Sequence, residues 1–449
     1  MAKSRSQFIC QQCGASFSKW AGKCENCGEW NSLVEQVVSS GGSSAVDKSA
    51  GRGKALKTAS VREAVAESGL ERLSTGIDDL DVVLGGGFLA GGVVLVAGQP
   101  GIGKSTLLAQ VAAHIAVSKS VLYVSGEESI SQVKLRAERL GAADSEKLRL
   151  ASSNSAEDIA VSIQQGKYDL VIVDSVQTIS LSEISSAPGS VSQITNSSNA
   201  IIRAAKASGT AVILVGHVTK EGSIAGPKIL EHLVDVVLNF EGDRYGGFRV
   251  VRAQKNRYGS TNEAAIFEMH EDGLRIVANP SASLLAERRN LDGSIVLATM
   301  EGARPLLVEI QALVNPTNFG YPKRTASGFD LNRLNLLVAV LEKRTKLKLA
   351  DKDIYVNVVG GLKLNDPAAD LAVAMAIASA SAGRSLDEGA VVFGEIGLGG
   401  EVRSAINWQA RIKEAKKLGF TYAIAPKVHK DKFIKGVSDM RQALIDYLQ

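Results

Sequence analysis

Cysteine is almost absent from this chain of 449 residues: there are four, and none lies beyond position 27. That excludes a fold stapled throughout by disulfides. Long apolar runs are missing too. Stretches such as GGVVLVAG (91–98) fall far short of the ~20 residues a membrane-spanning helix needs. The opening MAKSRSQFICQQCG holds no apolar segment of the kind a secretory signal requires. A cytoplasmic protein with no membrane partner is therefore expected. A dominant charge is also lacking, because 51 Lys and Arg stand against 47 Asp and Glu for a net +4. Overall charge does not announce a nucleic-acid partner, although local basic clusters can still hold one. One such cluster, 413–435, carries seven Lys against Glu414 and Asp431, and it reads equally as a solvated helix face. No short-period repeat is visible.

What is present falls into distinct regions. Cys10-x-x-Cys13 and Cys24-x-x-Cys27 form two knuckles separated by ten residues. Each pair can close a tight turn aiming two thiolates at one ion, and together they complete a tetrahedral site for which zinc is the usual occupant. With no spare ligand position, this zinc ribbon (1–35) is structural. The alternative, a redox pair, would want one C-x-x-C at a helix start in a thioredoxin-like unit, and none is visible. Trp20 and Trp30 flank the second knuckle and are expected to cover the small core. Residues 36–66, rich in Gly, Ser and Ala over VVSSGGSSAVDKSAGRGKALKT, read as a flexible linker.

From 67 to 277 strand-like runs alternate with helical stretches. VVLVAG (93–98), SVLYVSG (120–126), YDLVIVDS (168–175) and TAVILVGH (210–217) end in small or polar residues, with helical segments such as 104–117 and 194–208 between them. This alternation predicts an α/β fold with a doubly wound, mostly parallel sheet, whose ligands bind beyond the carboxyl ends of the strands. From 278 to 449 short strands mix with helices, which reads as a separate α+β domain.

The chemistry concentrates in the alternating region. GQPGIGKST fits G-x-x-x-x-G-K-[ST] between a strand and a helix. Gly98, Gly101 and Gly103 let backbone N–H groups wrap phosphates, and the helix N-terminus adds favourable potential. Lys104 is placed to neutralise the β- and γ-phosphates of ATP. Ser105 is placed to ligate Mg2+, and Thr106 completes the loop. Asp174, seventy residues beyond Lys104, ends an apolar strand where it can hold the magnesium shell. A general base is still required. Ser175, not Glu, follows Asp174, so LYVSGEES (122–129) supplies the carboxylate, with Glu127 first and Glu128 second. A solvated acidic pair at a helix start is the bland alternative.

These residues resemble the RecA-type ATPases, in which the catalytic Glu ends the strand after the phosphate-loop helix. The resemblance narrows. The ribbon with KWAGKCENCGEWNSLVE, the lead STGIDDLDVVLGGG and the pentapeptide KNRYG (255–259) together are similar to the bacterial RadA family, also called Sms, over essentially the whole chain. That likeness implies a RecA-like P-loop ATPase core between a zinc ribbon and a Lon protease-like domain. It further implies a homohexameric ring on single-stranded and branched DNA. The ring would act as a DNA-dependent ATPase and helicase driving branch migration in recombinational repair, nucleoid-associated, with a RecA recombinase and other repair proteins as partners. Cofactors are ATP with Mg2+, and Zn2+. In RecA-type rings, cations at the position of Lys255 and Arg257 reach the neighbouring subunit's ATP. Arg257 suits that role by its forked, permanently charged guanidinium, and Lys255 shares it or contacts DNA. A solvated hairpin tip is the plain alternative. His217 corresponds to a γ-phosphate sensor. Loops 176–198 and 218–228 correspond to DNA-contacting loops, the latter offering Lys220 and Lys228. Neither loop contains an aromatic residue, so base stacking there is minor. A basic patch at Lys343, Arg344, Lys346 and Lys348 is a weaker DNA candidate. In the Lon-like region DPAAD puts Ala368 at the nucleophile position, and Gln409 falls where the partner Lys would be. Without a hydroxyl at 368 the protease chemistry is excluded there. Two rival readings remain: a RecA-like ATPase acting on a protein, in the manner of KaiC, with the ribbon as docking module, and a DNA-binding regulator for which nucleotide is only a switch.

Overall fold

The computed structural model describes residues 5–10, 16–26, 28–30, 32–38, 58, 60, 72–141, 145–217, 229–242, 248–317 and 320–448. Strands β1 (Arg5–Cys10), β2 (Ser16–Phe17) and β3 (Leu33–Val38) form an antiparallel sheet in the order β2-β1-β3. Its core is small. Cys10, Cys24 and Leu33 are buried together, with Phe8, Phe17 and Ala21 packed against them. Gly28 N donates to Cys24 O at 2.8 Å, with Gly28 at φ +76°, so the second knuckle closes through a conformation glycine adopts at little cost. Trp20 and Trp30 do not cover this core: they are 59% and 69% exposed. The thiols, Leu33 and the two Phe rings already fill it, and the indoles stand outward over Gly22, with Lys23 Nζ 5.5 Å from the Trp30 ring centroid.

Helix α1 (Asp78–Leu84) then precedes a regular alternation. Its members are β4 (Val93–Gly98), α2 (Lys104–Ile115), β5 (Val121–Ser125), α3 (Ile130–Arg139), β6 (Leu148–Ser152), α4 (Ala156–Gln165), β7 (Leu170–Asp174), α5 (Val191–Ser208), β8 (Ala211–His217) and α6 (Ile229–Leu233). The chain packs as two compact units. The first takes Met1–Thr75, Gly87–Ala97 and Val111–Asp235, and the second takes Gly76–Gly86, Gly98–Gln110 and Val236–Gln449. In the first, the strand order is β4-β8-β7-β5-β6, with β5 to β8 parallel. Strands β4, β5 and β7 are buried along their whole length, which is why they read as unbroken apolar runs rather than alternating ones. Register sets Ser125 beside Asp174, so β5 and β7 end level, and Asp174 beside Val215, so β8 runs two residues farther to His217. Ser129 and Gln132 close a capping box that starts α3, fixing the short loop that carries Glu127 and Glu128.

In the second unit β9 (Val236–Gly242), β10 (Arg249–Asn256), β11 (Ala264–His270) and β12 (Gly273–Ile276) form an antiparallel meander, broken by a bulge between Ala253 and Lys255. After α7 (Pro280–Leu285) comes a seven-stranded mixed sheet. It uses β13 (Ser294–Glu301), β14 (Arg304–Pro316), β15 (Arg324–Ser327), β16 (Lys352–Val358) and β17 (Ala390–Val392), with β18 (Glu395–Ile396) and β19 (Val402–Arg403) as a separate hairpin and β20 (Tyr422–Pro426) and β21 (Ile434–Val437) completing it. Helices α8 (Leu331–Thr345), α9 (Asp370–Ala382), α10 (Trp408–Lys417) and α11 (Met440–Leu448) pack on it. Helix α9 is buried all round from Asp370 to Ser379, which accounts for its nearly uniform apolar sequence. One apolar cluster joins Val250 of β10 and Ile266 of β11 to Ile295, Val296, Leu307 and α9. Among the described residues no helix is long and apolar enough to cross a membrane.

Candidate active site

The phosphate-loop sequence leaves β4 at Gly98 and enters α2 at Lys104. Gly101 sits at φ +77° and Gly103 at φ +116°. A Cβ on Gly98 would lie 2.6 Å from Phe240 O, whereas one on Gly101 would meet nothing within 4 Å. The loop is therefore pinned from behind and open at its tip, the shape a phosphate chain needs. Lys104, only 4% exposed, lays its ammonium across the loop, donating to Gly98 O at 2.8 Å and Gln99 O at 3.0 Å. Ser105 and Thr106 fall in the first turn of α2, where unpaired backbone N–H groups favour anions. Buried Arg249 donates from Nε to Ile102 O at 3.3 Å and props the loop from β10, a support that no local motif marks.

In the first unit Asp174 is nearly buried at the end of β7 and accepts from the Tyr123 hydroxyl at 2.6 Å. Burial, and then the charge and hydrogen bond of Asp174, push the Tyr123 phenol well above its ordinary range, so it remains a donor. Ser125 Oγ accepts from the N–H groups of Glu128 (2.8 Å) and Glu127 (3.3 Å), holding the acidic pair at the strand end. Their carboxylates then diverge. Glu127 Oε1 accepts from Ser175 Oγ at 2.6 Å and lies 3.6 Å from His217 Nε2. Glu128 Oε1 accepts from Arg136 Nη2 at 2.5 Å. Burial pulls the Arg136 pKa down, but the hydrogen bond to Glu128 and the electrostatic pull of Tyr123, Glu128 and Asp174 together outweigh it, and the guanidinium ends above its ordinary value. Glu128 is thus committed to a permanent cation, while Glu127 faces a hydroxyl and an imidazole. Tyr123, Ser175 and Arg136 escape sequence reasoning: the pairing of β5 with β7 brings Tyr123 to Asp174 and Ser175 to Glu127, and the first turns of α3 bring Arg136 back to Glu128.

Lys255 and Arg257 lie in the second unit at the end of β10, and Arg257 is exposed. The turn between them is not a loose tip. Asn256 Nδ2 donates to Val83 O at 3.1 Å, and Asn256 Oδ1 accepts from Tyr258 N at 2.8 Å. A Cβ on Gly259 would lie 2.8 Å from the Gly85 Cα, so backbone packs on backbone at the end of α1. Lys220 and Lys228 lie outside the described residues, as do Cys13 and Cys27. Cys10 and Cys24 are buried in one cluster, and Cys10 Sγ is 3.3 Å from Ser32 Oγ. This pairing suits two thiolates of a zinc site.

In the C-terminal sheet domain Ala368 is buried in the short 3-10 turn Pro367–Ala369, and Gln409 is exposed on α10. The cation that points inward is Arg411, 1% exposed. It donates to Asp366 Oδ2 at 2.6 Å and Ala298 O at 2.7 Å. Asp366 also accepts from Thr299 Oγ1, Met300 N and Ala368 N. Where a hydrolase would keep a nucleophile and a base, this domain holds a saturated ion pair.

Three family models match the chain: an AAA domain over residues 62–223, a rubredoxin metal binding domain over 8–35, and subunit ChlI of Mg-chelatase over 335–429. Among solved structures it is similar to the RadB recombinase, with 24% identity over 46% of this chain and 99% of that one and a TM-score of 0.37. Curated relatives are far closer. The DNA repair protein RadA of Bacillus subtilis is 47% identical over 99% of both chains. That of Halalkalibacterium halodurans is 49% identical over 95% of this chain and 93% of its own, and that of Brucella abortus 48% over 95% and 92%. The expected α/β class holds, with an ATPase core between a zinc ribbon and a Lon-like domain. With near-half identity along almost its entire length, the chain belongs to the RadA family of DNA repair proteins.

Proposed function

We propose that this chain is an ATP-driven motor of recombinational DNA repair, a helicase that encircles single-stranded DNA as a homohexamer and drives branch migration. The observation that carries the reading is Glu127, positioned by Ser175 and backed by His217 level with Asp174, in a chain whose relatives are DNA repair proteins. Glu127 accepts the proton of an attacking water, and His217, 3.6 Å from that carboxylate, serves as the γ-phosphate sensor. Lys104 and the N–H groups of the 98–106 loop bind the phosphates. Ser105 of the phosphate loop and, on the other unit, Asp174 are the residues that would each offer a ligand to magnesium, which would supply charge neutralisation to the phosphates. Arg257, assisted by Lys255, is offered to the nucleotide of a neighbouring subunit. Cys10, Cys13, Cys24 and Cys27 hold a structural zinc, and Lys220 and Lys228 grip DNA phosphates. A RecA recombinase is the partner at the branch point, in the cytoplasm on the nucleoid.

One observation favours a second reading, an ATPase that remodels a protein bound through the ribbon: Trp20 and Trp30 stand exposed side by side. A labelled branched DNA separates the two. With ATP the wild-type chain should move the branch, and Lys104→Ala should lower the rate at least ~100-fold, because the lost ammonium serves phosphate binding and transition state alike. A wild-type chain that leaves branched DNA unchanged at every salt concentration tested would sink the motor reading.

A further inference from the structure

The hairpin joining β13 and β14 is fastened around the KNRYG turn at three points. Three residues before Lys255, Arg252 forms one ion pair with Glu301 and a second with Glu241 at 3.2 Å. Three residues after Gly259, Asn262 O accepts from Ala303 N. Gly302 is at φ +62° there, and a Cβ on it would lie 2.0 Å from Asn262 O, so no other residue fits. Beneath the turn, Arg304 Nη1 donates to Asp79 Oδ2 at 2.9 Å, while Nη2 reaches Ala278 O at 3.2 Å. Asp79 stands in the first turn of α1, and the last turn of that helix carries the pentapeptide through Val83 O and Gly85. The tip is short and stiff, since Glu301 pairs with Arg304 across only two residues. It projects from a sheet whose apolar core is continuous with β10 and β11.

We propose that this hairpin tip, Glu301 to Arg304, is a positioning device that sets Lys255 and Arg257 for catalysis, so that the C-terminal sheet domain controls ATP turnover. The inference rests on reading Arg257 as a cation offered across a subunit boundary. An exposed arginine can serve that purpose only if its backbone is held to within a fraction of an ångström, because a 1 Å misplacement costs roughly 100-fold in rate. Bracketing the turn on both sides and from below provides that hold. Glu301 and Arg304 touch no reacting atom; they act through Arg252, Asn262 and Asp79.

The test uses the full-length chain and DNA-stimulated ATP turnover. Arg304→Ala should lower kcat about 10-fold and leave KM for ATP within about twofold, as expected when only transition-state placement is lost. The exchange Asp79→Arg with Arg304→Asp should restore most of the rate. In an Arg257→Ala background Arg304→Ala should cost far less than in the parent, at most the share that Lys255 carries, since coupled residues are not additive. Parental turnover in Arg304→Ala overturns the inference, and so does a loss that adds fully to that of Arg257→Ala or one that the exchange leaves unrepaired. If Arg257→Ala itself turns over ATP normally, the cross-subunit reading falls and takes this inference with it. Loss at Arg257→Ala with none at Arg304→Ala removes the inference alone.

Discussion

Glu127→Gln should reduce ATP turnover by about 10²–10⁴-fold, the usual worth of a general base, while nucleotide binding persists. The amide can still accept from Ser175 Oγ, which holds the wild-type carboxylate at 2.6 Å, so the loop should keep its place and only the proton acceptor is lost. Glu128→Gln is the control. Its carboxylate is tied to Arg136, and its loss should change turnover by no more than a few-fold. Steady-state hydrolysis beside fluorescent-nucleotide binding measures both. A silent Glu127→Gln together with a dead Glu128→Gln would exchange the roles argued above.

The second large effect concerns stability. Arg411→Ala should destabilise the C-terminal unit by about 3–5 kcal/mol, because it strands a mostly buried carboxylate, 12% exposed. Asp366 keeps three other donors, but none carries charge. Removing both partners as Asp366→Asn with Arg411→Met should cost much less, since no uncompensated charge remains. The pair also sets a direction with pH. Burial alone would raise the Asp366 carboxyl, yet the hydrogen bond and charge of Arg411, with two backbone N–H groups, hold it below the usual range. A carboxyl lowered in the folded state contributes stability above its unfolded pKa and loses it on acidification. Denaturation midpoints should therefore fall as pH drops below about 4. Arg411→Met should flatten that fall.

How much of this was legible in the sequence depends on range. The phosphate loop was readable because its geometry is written in local glycine spacing, and Asp174 because a carboxylate closes an otherwise apolar strand. Glu127 was readable as the nearest strand-end acid. It was ranked ahead of Glu128, but the partners that separate the two were not visible, because Ser175 reaches Glu127 only through the Ser125–Asp174 register of β5 on β7 and Arg136 reaches Glu128 only once α3 has formed. Arg411 was missed for the same reason. In WQARIKEAKK nothing local separates the one inward cation from the lysines on the solvent face, and likeness to a protease pointed to Gln409 instead. The two ribbon tryptophans were expected to cover the core because they flank the second knuckle, but Phe8, Phe17 and Ala21 already pack against a core that small and the indoles stand exposed. In KNRYG the two cations were conspicuous, whereas Asn256 and Gly259, which tie the turn to α1, looked like ordinary turn residues.

The claim that DNA drives this ATPase is decided by one titration: ATP hydrolysis as single-stranded DNA is added, repeated from low to physiological salt. The predicted result is a saturable rise in turnover of about 10-fold or more that weakens as salt displaces the phosphate contacts and is missing in Glu127→Gln. A rate independent of DNA at every salt concentration, from a chain that still binds and hydrolyses ATP, would contradict the claim.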